Sequence, residues 1–472
     1  MPFKTSFIPG FHYLCGRAKK PEATRLKEQL EHSQALTPGQ LQSVFGKIIT
    51  VLNVGRKRVF DRGTTFWAFL GQILNGGTCR SAVREVQAQR HKKGLPAISS
   101  STSAYCQARG RLGLAWLEEL AGESVRHLEH NKDSQWDWRG RRVLYVDGTS
   151  CQLPDTEENQ EAYPQHSSQQ EGCGQPLMQL VGLFEMGAGA LLKASRSPWY
   201  ANESGMFGVD LVGELRAGDV LGGDMGFGSF LNIALVQGQG ADAVFRISRS
   251  RKYKFPGGKD DMVVTWQRPG NSARPLHYTQ EEWERLPREL TVRLVRIRVQ
   301  KDGFRLEEIV LATTLMDAPI EELAMLYFRR WEIEVCFRDI KTALGMDELE
   351  GKTPGMAKKE VTMYLLAYNL LRALMVETAR LSNQPLKVMS FTGTRDTVRH
   401  WAGIIASASS QKKRDEAMME MFACIAKDSL VIREGRQEPR EVKRRPKSFK
   451  RMTEPRKGRT RKTAKQRKEV LS

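Results

Sequence analysis

A change of hydrophobic period near residue 141 divides this chain into two kinds of structure. Before it, LQSVFGKIITVLNV and FWAFLGQIL place apolar residues at helical spacing, with Gly and Pro breaks between segments, so residues 36 to about 130 predict a helical region. From RRVLYVDGTS (141–150) the texture turns to β. VLYV runs into Asp147, LMQLVGLFEM and ALLKAS follow, and DVLGGDMGFG ends a run at Asp224. Helical segments intervene at about 204–216 and 228–238, and AVFRIS (243–248) closes the series. Such alternation demands a mixed sheet with helices packed on it. Residues 249–314 then carry short β-type runs (MVVTW, LTVRLVRIRV, EEIVLATTL) between turn residues, which predicts a β insertion, and helices follow to about 430.

A chain of 472 residues has room for two or three domains and a sizeable core. Its 74 Lys and Arg against 54 Asp and Glu leave +20, a balance that favours a polyanionic partner. The charge is uneven. Residues 433–472 hold 17 basic and 5 acidic side chains, a net of +12, with Pro439, Pro446 and Pro455 spaced through them, which predicts a basic tail that orders on nucleic acid. Seven scattered cysteines without a Cys-x-x-Cys predict free thiols in a reducing cytoplasm and no zinc site. The opening MPFKTSFIPGFHYLCGRAKK lacks the apolar run of a secretory signal, and VTMYLLAYNLLRALMV (361–376), with Asn369 and Arg372 inside it, predicts a buried helix and no membrane partner. No G-x4-G-K-[ST] occurs, so no nucleotide cofactor is expected, and the glycine pairs at 187/189 and 238/240 read as turns.

YFRRWEIEVCFRDIK (327–341) reads as helix. At about 100° per residue, with Tyr327 at zero, Arg330 falls near ~300°, Lys341 near ~320° and Glu334 near ~340°. Leu326, Ile333, Phe337, Ile340 and Leu344 gather around roughly 250°, the face a core takes, and Glu332 points away near ~140°. One carboxylate thus sits at the rim of the core between two cations and a phenol. A solvated helix more often scatters opposite charges as i,i+4 pairs, so this face reads as a site or, failing that, as a wetted surface.

Asp147 and Asp224 each terminate an apolar β run. Carboxylates at adjacent strand ends can share hard divalent cations, and a third from a helix would complete a two-metal clamp for in-line displacement at phosphorus. Asp155 and Asp219 compete for the same role, and each Asp taken alone also reads as a turn or cap residue.

Taken together these segments resemble a known family. Tyr327-x2-Arg330-x3-Glu334-x6-Lys341 is similar to the Y-R-E-K signature of bacterial insertion-sequence DDE transposases of the insertion-sequence-four family. DGTSCQLPDTEENQEAYPQ (147–165) resembles the family's first-Asp segment, GDVLGGDMGFGSF (218–230) its second, YNLLRALM (368–375) the helix after the signature and KRRPK (443–447) its C-terminal run. The resemblance implies an α/β fold: a ribonuclease-H-like mixed-sheet catalytic core with an inserted β domain, an all-α N-terminal domain and a helical C-terminal segment with a basic tail. The expected divisions are 1–132 (helical, DNA-binding), 138–248 and 315–345 (catalytic core), 249–314 (insertion), 346–430 (helical) and 431–472 (tail).

By position, the resemblance implies that Asp147, Asp224 and Glu334 hold two Mg²⁺ ions, with Mn²⁺ a possible substitute. It implies that Tyr327, Arg330 and Lys341 contact DNA near the cut. Arg338 of the same helix, Arg246 and Arg249 of RISRSRKYK, and Lys443, Arg444 and Arg445 of the tail are further candidate DNA contacts. The family usually has Arg after the second Asp; here it is Met225, which removes a cation beside a phosphate site. The implied activity is Mg-dependent cleavage at terminal inverted repeats and transfer of the 3′-OH into target DNA, by a homodimer on double-stranded DNA in the cytoplasm, at the bacterial nucleoid. An inactive DNA-binding derivative and a ribonuclease-H-like nuclease are the alternatives. Two further readings stay open: Gln107, Arg109 and Arg111, behind a cap at Ser101 or Thr102, form either a groove-reading helix or an ordinary surface helix. Trp266 and Trp283 suit a core better than a flipped base.

Removing residues 433–472 should weaken DNA binding and flatten the slope of log affinity against log salt, since fewer phosphate contacts release fewer counterions. An unchanged slope in a salt titration would refute a DNA role for the tail.

Overall fold

The computed structural model describes residues 58–248, 253–275, 278–299 and 307–430. The helical run at 41–54, Arg249 and the tail with Lys443, Arg444 and Arg445 lie outside the described residues. Four helices open the described chain: α1 (Arg62–Asn75), α2 (Cys79–Lys92), α3 (Ser103–Arg111) and α4 (Leu114–Asn131). Asp61 caps α1 by accepting from Thr64 N at 2.6 Å, satisfying one orphan donor of the first turn. Thr102 holds the cap position of α3 but makes no side-chain cap bond. The groove-reading alternative for this helix needs correction at Arg109: its guanidinium is buried 4.8 Å from the Phe69 ring centroid and 5.3 Å from that of Tyr105, and only Gln107 and Arg111 remain exposed.

Among the described residues one eight-stranded sheet runs in the order β3-β2-β1-β4-β5-β8-β7-β6. Its strands are β1 (Val143–Gln152), β2 (Leu177–Glu185), β3 (Ala190–Pro198), β4 (Val220–Gly223), β5 (Asp242–Arg246), β6 (Asp261–Gln267), β7 (Glu289–Val299) and β8 (Glu307–Thr313). β1, β2 and β3 form an antiparallel meander, while β4 and β5 run parallel to β1. This is the mixed sheet that the alternation of strand and helix segments demanded. The β insertion is continuous with it, because β8 pairs antiparallel with β5 along Val244–Arg246 and so covers an edge that would otherwise be open. Trp266 and Trp283 are both buried inside the insertion, as the core reading required.

Alternation along the strands sends side chains to two cores. Val143, Tyr145, Leu180, Phe184, Val220 and Val244 pack beneath α1 to α4 and the later helices. Leu144, Val146, Val181, Leu183, Leu221 and Phe245 pack on the other side. That second face is covered by α6 (Glu203–Met206), a π turn at Phe207–Leu211 and α7 (Phe230–Gly238), after a short α5 (Glu157–Ala162). The chain continues through α8 (Gln280–Arg285), α9 (Ile320–Arg329), α10 (Trp331–Arg338), α11 (Pro354–Ser382), α12 (Phe391–Ser407) and α13 (Gln411–Lys427).

The polar residues of the long apolar helix α11 have a structural task. Asn369 accepts from Leu191 N and donates to Leu191 O, both at 3.0 Å. Arg372 donates to Ala188 O at 2.7 and 3.0 Å, and the Tyr368 hydroxyl to Gly189 O at 2.8 Å. One helix therefore satisfies the turn and edge of the β2–β3 hairpin. No helix among the described residues is long and apolar enough to cross a membrane.

The β1–β4 pair is unusually close-fitting. A Cβ at Gly222 would lie 2.2 Å from Cε1 of Tyr145, so the ring occupies the place a side chain would take on β4. The Tyr145 hydroxyl donates to Leu326 O, tying β1 to α9. Gly222→Ala should therefore cost about 1–3 kcal/mol by overpacking, visible as a lower urea midpoint with an unchanged m-value. A midpoint equal to wild type would mean that the ring can move away freely.

Candidate active site

Parallel pairing of β1 with β4 ends at Val146 opposite Gly223, so the next residues on the two strands are Asp147 and Asp224. Contrary to the expectation from its apolar run, Asp147 does not end its strand. β1 continues to Gln152 against β2, and only the β4 ladder stops. Each carboxylate turns onto a local amide: Asp147 Oδ1 accepts from Gly148 N, and Asp224 Oδ1 from Gly226 N, both at 2.8 Å.

The helix bearing the third carboxylate is not continuous. α9 and α10 meet at Arg330 (φ −51, ψ −30), and α10 passes into a π turn at Asp339–Ala343. A uniform rotation per residue thus holds across the Arg330–Glu334 turn and fails before Lys341, because the π turn is wound more loosely. Arg330 donates to Glu334 Oε1 at 2.9 Å and faces Asp147 Oδ2 at 3.4 Å, joining strand to helix. Lys341 instead pairs with Asp347 at 3.0 Å, and Tyr327 is buried with 6% of its surface exposed. Glu332 turns away, as its wheel position required, and pairs with Arg329 at 3.2 Å. Arg338 lines a cavity of about 770 Å³ together with Glu332, Asp339 and Arg372.

The competing aspartates are engaged elsewhere. Asp219 is buried against Arg142 at 2.6 Å, and Asp155 accepts from Gln160 at 3.1 Å. Met225, beside Asp224, is 49% exposed, and Arg246 ends β5. A residue without a sequence signal also belongs to this neighbourhood. Glu203, at the start of α6, is raised above its ordinary pKa by burial and by Asp147 and Asp224.

The Asp147 carboxyl is pushed up to about 6, chiefly by burial, with Asp224 and Glu334 adding to the shift and the Gly148 N–H and Arg330 opposing it. This is surplus negative charge in a partly dry place. Among the described residues no three His, Cys, Asp or Glu side chains close as a ligand set. The Arg330 guanidinium stands between Asp147 and Glu334 where a cation is wanted. An oxygen-only, anionic donor set of this kind suits a hard divalent ion, provided Arg330 yields.

Aspartates that follow the last pair of a central parallel ladder, with a glutamate on a helix joined to one of them through an arginine, are the arrangement that the DDE resemblance implied for a DNA-processing enzyme. Residues 138–370 match the model of the transposase DDE domain. The transposase InsG for insertion sequence element IS4 of Escherichia coli (strain K12) is 27% identical over 351 residues, which are 73% of this chain and 77% of that one. The InsZ protein of the same strain is 31% identical over 103 residues, 22% of this chain and 34% of its own. A chain of the piggyBac transposase synaptic complex with hairpin DNA aligns with 81% of this chain and 82% of its own, at 9% identity and a TM-score of 0.42. The chain belongs to the insertion-sequence-four family of bacterial DDE transposases, enzymes that bind DNA and use divalent metal ions to cleave it and transfer its strands.

Because Asp147 titrates near 6 in the folded chain against an ordinary 3.8, the folded state holds the proton more tightly between those values. Stability from this group therefore falls as pH rises through that window, and the full penalty is present at pH 7. Asp147→Asn should stabilise the metal-free protein by about 2 kcal/mol at pH 7 and by little at pH 4, measured by urea unfolding at both values. Destabilisation at pH 7 would mean that the Arg330 contact outweighs burial.

Proposed function

We propose that Asp147, Asp224 and Glu334 are the catalytic carboxylates of this transposase and the residues that hold two Mg²⁺ ions, with Mn²⁺ as a substitute. The ions would supply Lewis-acid stabilisation at phosphorus and activation of the attacking oxygen. The observation that carries this reading is the Arg330 guanidinium, 3.4 Å from Asp147 and 2.9 Å from Glu334, two carboxylates far apart in sequence.

The chain's own groups divide the remaining work. Arg330, released from the carboxylates, grips a phosphate beside them, where in-line displacement concentrates negative charge on oxygen. Lys341, Arg338 and Arg246 add positive charge for the DNA backbone, as Arg249, Lys443, Arg444 and Arg445 do from segments outside the described residues. Tyr327, the phenol expected to contact DNA near the cut, is the buried member of this set. Residues 1–132 and 431–472 hold element ends and target DNA, 138–248 with 315–345 form the catalytic core, 249–314 is its insertion, and 346–430 brace it. Two protomers on DNA bring two element ends together, and the reaction takes place in the cytoplasm, at the nucleoid. The products are a cleaved terminal repeat with a free 3′-OH and then that end joined to a target strand.

Two glutamates on α10 provide the test. Glu334→Gln should reduce Mg²⁺-dependent cleavage of element-end DNA by at least about a hundredfold while binding of that DNA persists, whereas Glu332→Gln should keep most of its activity. Equal losses in the two variants, or an active Glu334→Gln enzyme, would overturn the assignment.

A further inference from the structure

The acidic cluster has a fourth member that reaches it from the other face of β1. Successive residues of a strand point to opposite faces, so Gly148 presents its missing side chain away from Asp147. That vacant place is filled by a carboxylate. A Cβ on Gly148 would fall 1.9 Å from Oε1 of Glu203 and 2.3 Å from its Cδ. No residue larger than glycine fits at 148 while Glu203 stays where it is.

Glu203 is held there from several directions. Gln179, which lies across from Ser150 in the β1–β2 register, donates to Glu203 Oε1 at 2.6 Å. Asn202 caps the turn by accepting from Ser204 N at 2.9 Å, and Asn232 of α7 donates to Ser204 Oγ at 2.9 Å. The glutamate presses on the peptide whose N–H orients Asp147, since Gly148 N donates to Asp147 Oδ1 at 2.8 Å. A glutamine would fill the space and still accept from Gln179. A carboxylate instead adds like charge beside Asp147 and Asp224, which is unfavourable until a cation arrives.

We propose that Glu203 is a positioning residue of the metal site: through Gly148 it fixes the Asp147 carboxylate, and its charge raises the affinity of the Asp147–Asp224 pair for a divalent cation. The proposal rests on the reading of Asp147 and Asp224 as metal-holding residues. Outer groups that orient metal-binding side chains commonly change affinity by ten- to a hundredfold.

The experiment measures Mn²⁺ binding to the full chain without DNA, by electron paramagnetic resonance of free Mn²⁺, for wild type, Glu203→Gln and Asp224→Asn, with thermal midpoints of the metal-free proteins. Glu203→Gln should weaken Mn²⁺ binding about tenfold and leave the metal-free midpoint unchanged or slightly raised. Asp224→Asn should weaken binding at least as much. If Asp224→Asn loses affinity and Glu203→Gln does not, Glu203 has no part in the metal site and that site stands without it. If neither variant loses affinity, the assignment of the site itself fails as well. A lowered metal-free midpoint with an unchanged Mn²⁺ Kd would make Glu203 a packing residue and overturn the proposal.

Discussion

The site depends on the parallel pairing of β1 with β4. Neither strand carries a site alone: β4 is four residues, Val220–Gly223, all of them buried. Gly222 leaves room for the Tyr145 ring beside the β4 backbone, Gly223 leaves room for Phe245 and Val146, and the Tyr145 hydroxyl anchors α9. The register of the pair places the two aspartates directly beyond Val146 and Gly223, the last partners of the ladder, and the Tyr145 contact seats the helix pair that brings Arg330 and Glu334. Since a parallel pair needs a crossover connection, the long β2–β3 excursion and the helices over both faces follow from it.

Much of the remaining polar sequence secures that arrangement. The β2–β3 hairpin is held by Tyr368, Asn369 and Arg372 of α11, so the polar residues of a long buried helix act as a clamp. Glu185, fully buried at the end of β2, accepts from Gly187 N at 2.7 Å and Ala188 N at 2.9 Å and pairs with Lys132 at 3.0 Å. A buried charge is tolerable only with such partners. The N-terminal helices join the same frame through Gln72, which receives the Tyr105 hydroxyl at 2.9 Å and donates to Glu350 at 3.2 Å.

At the centre the electrostatics run against folding. Asp147 lies in the field of Asp224 and Glu334, Glu203 in that of Asp147 and Asp224, and Arg330 reaches both Asp147 and Glu334. An arrangement with this surplus of negative charge is poor for a core and well suited to a cation-dependent enzyme of phosphodiester chemistry. The strain is local because the flanking strands are apolar and tightly packed.

Sequence alone determined the elements and the chemistry. The switch of period at residue 141 foretold the sheet, since alternation is a local property of the chain. The rotation of a helix foretold that Glu334 and Glu332 point apart. The spacing of Tyr327, Arg330, Glu334 and Lys341 carried the family. Tertiary structure decided what local rules cannot carry. β1 runs past Asp147 because β2 continues to pair with it after β4 has stopped. Arg109 left the surface because Phe69 and Tyr105 offered it aromatic faces. Lys341 fell under a π turn that no residue pattern announced, and Glu203 met Asp147 only because Gly148 leaves a gap between two faces of a strand. Periodicity encodes which way a side chain points from its own element, whereas the partner it meets is fixed by the packing of elements distant in sequence.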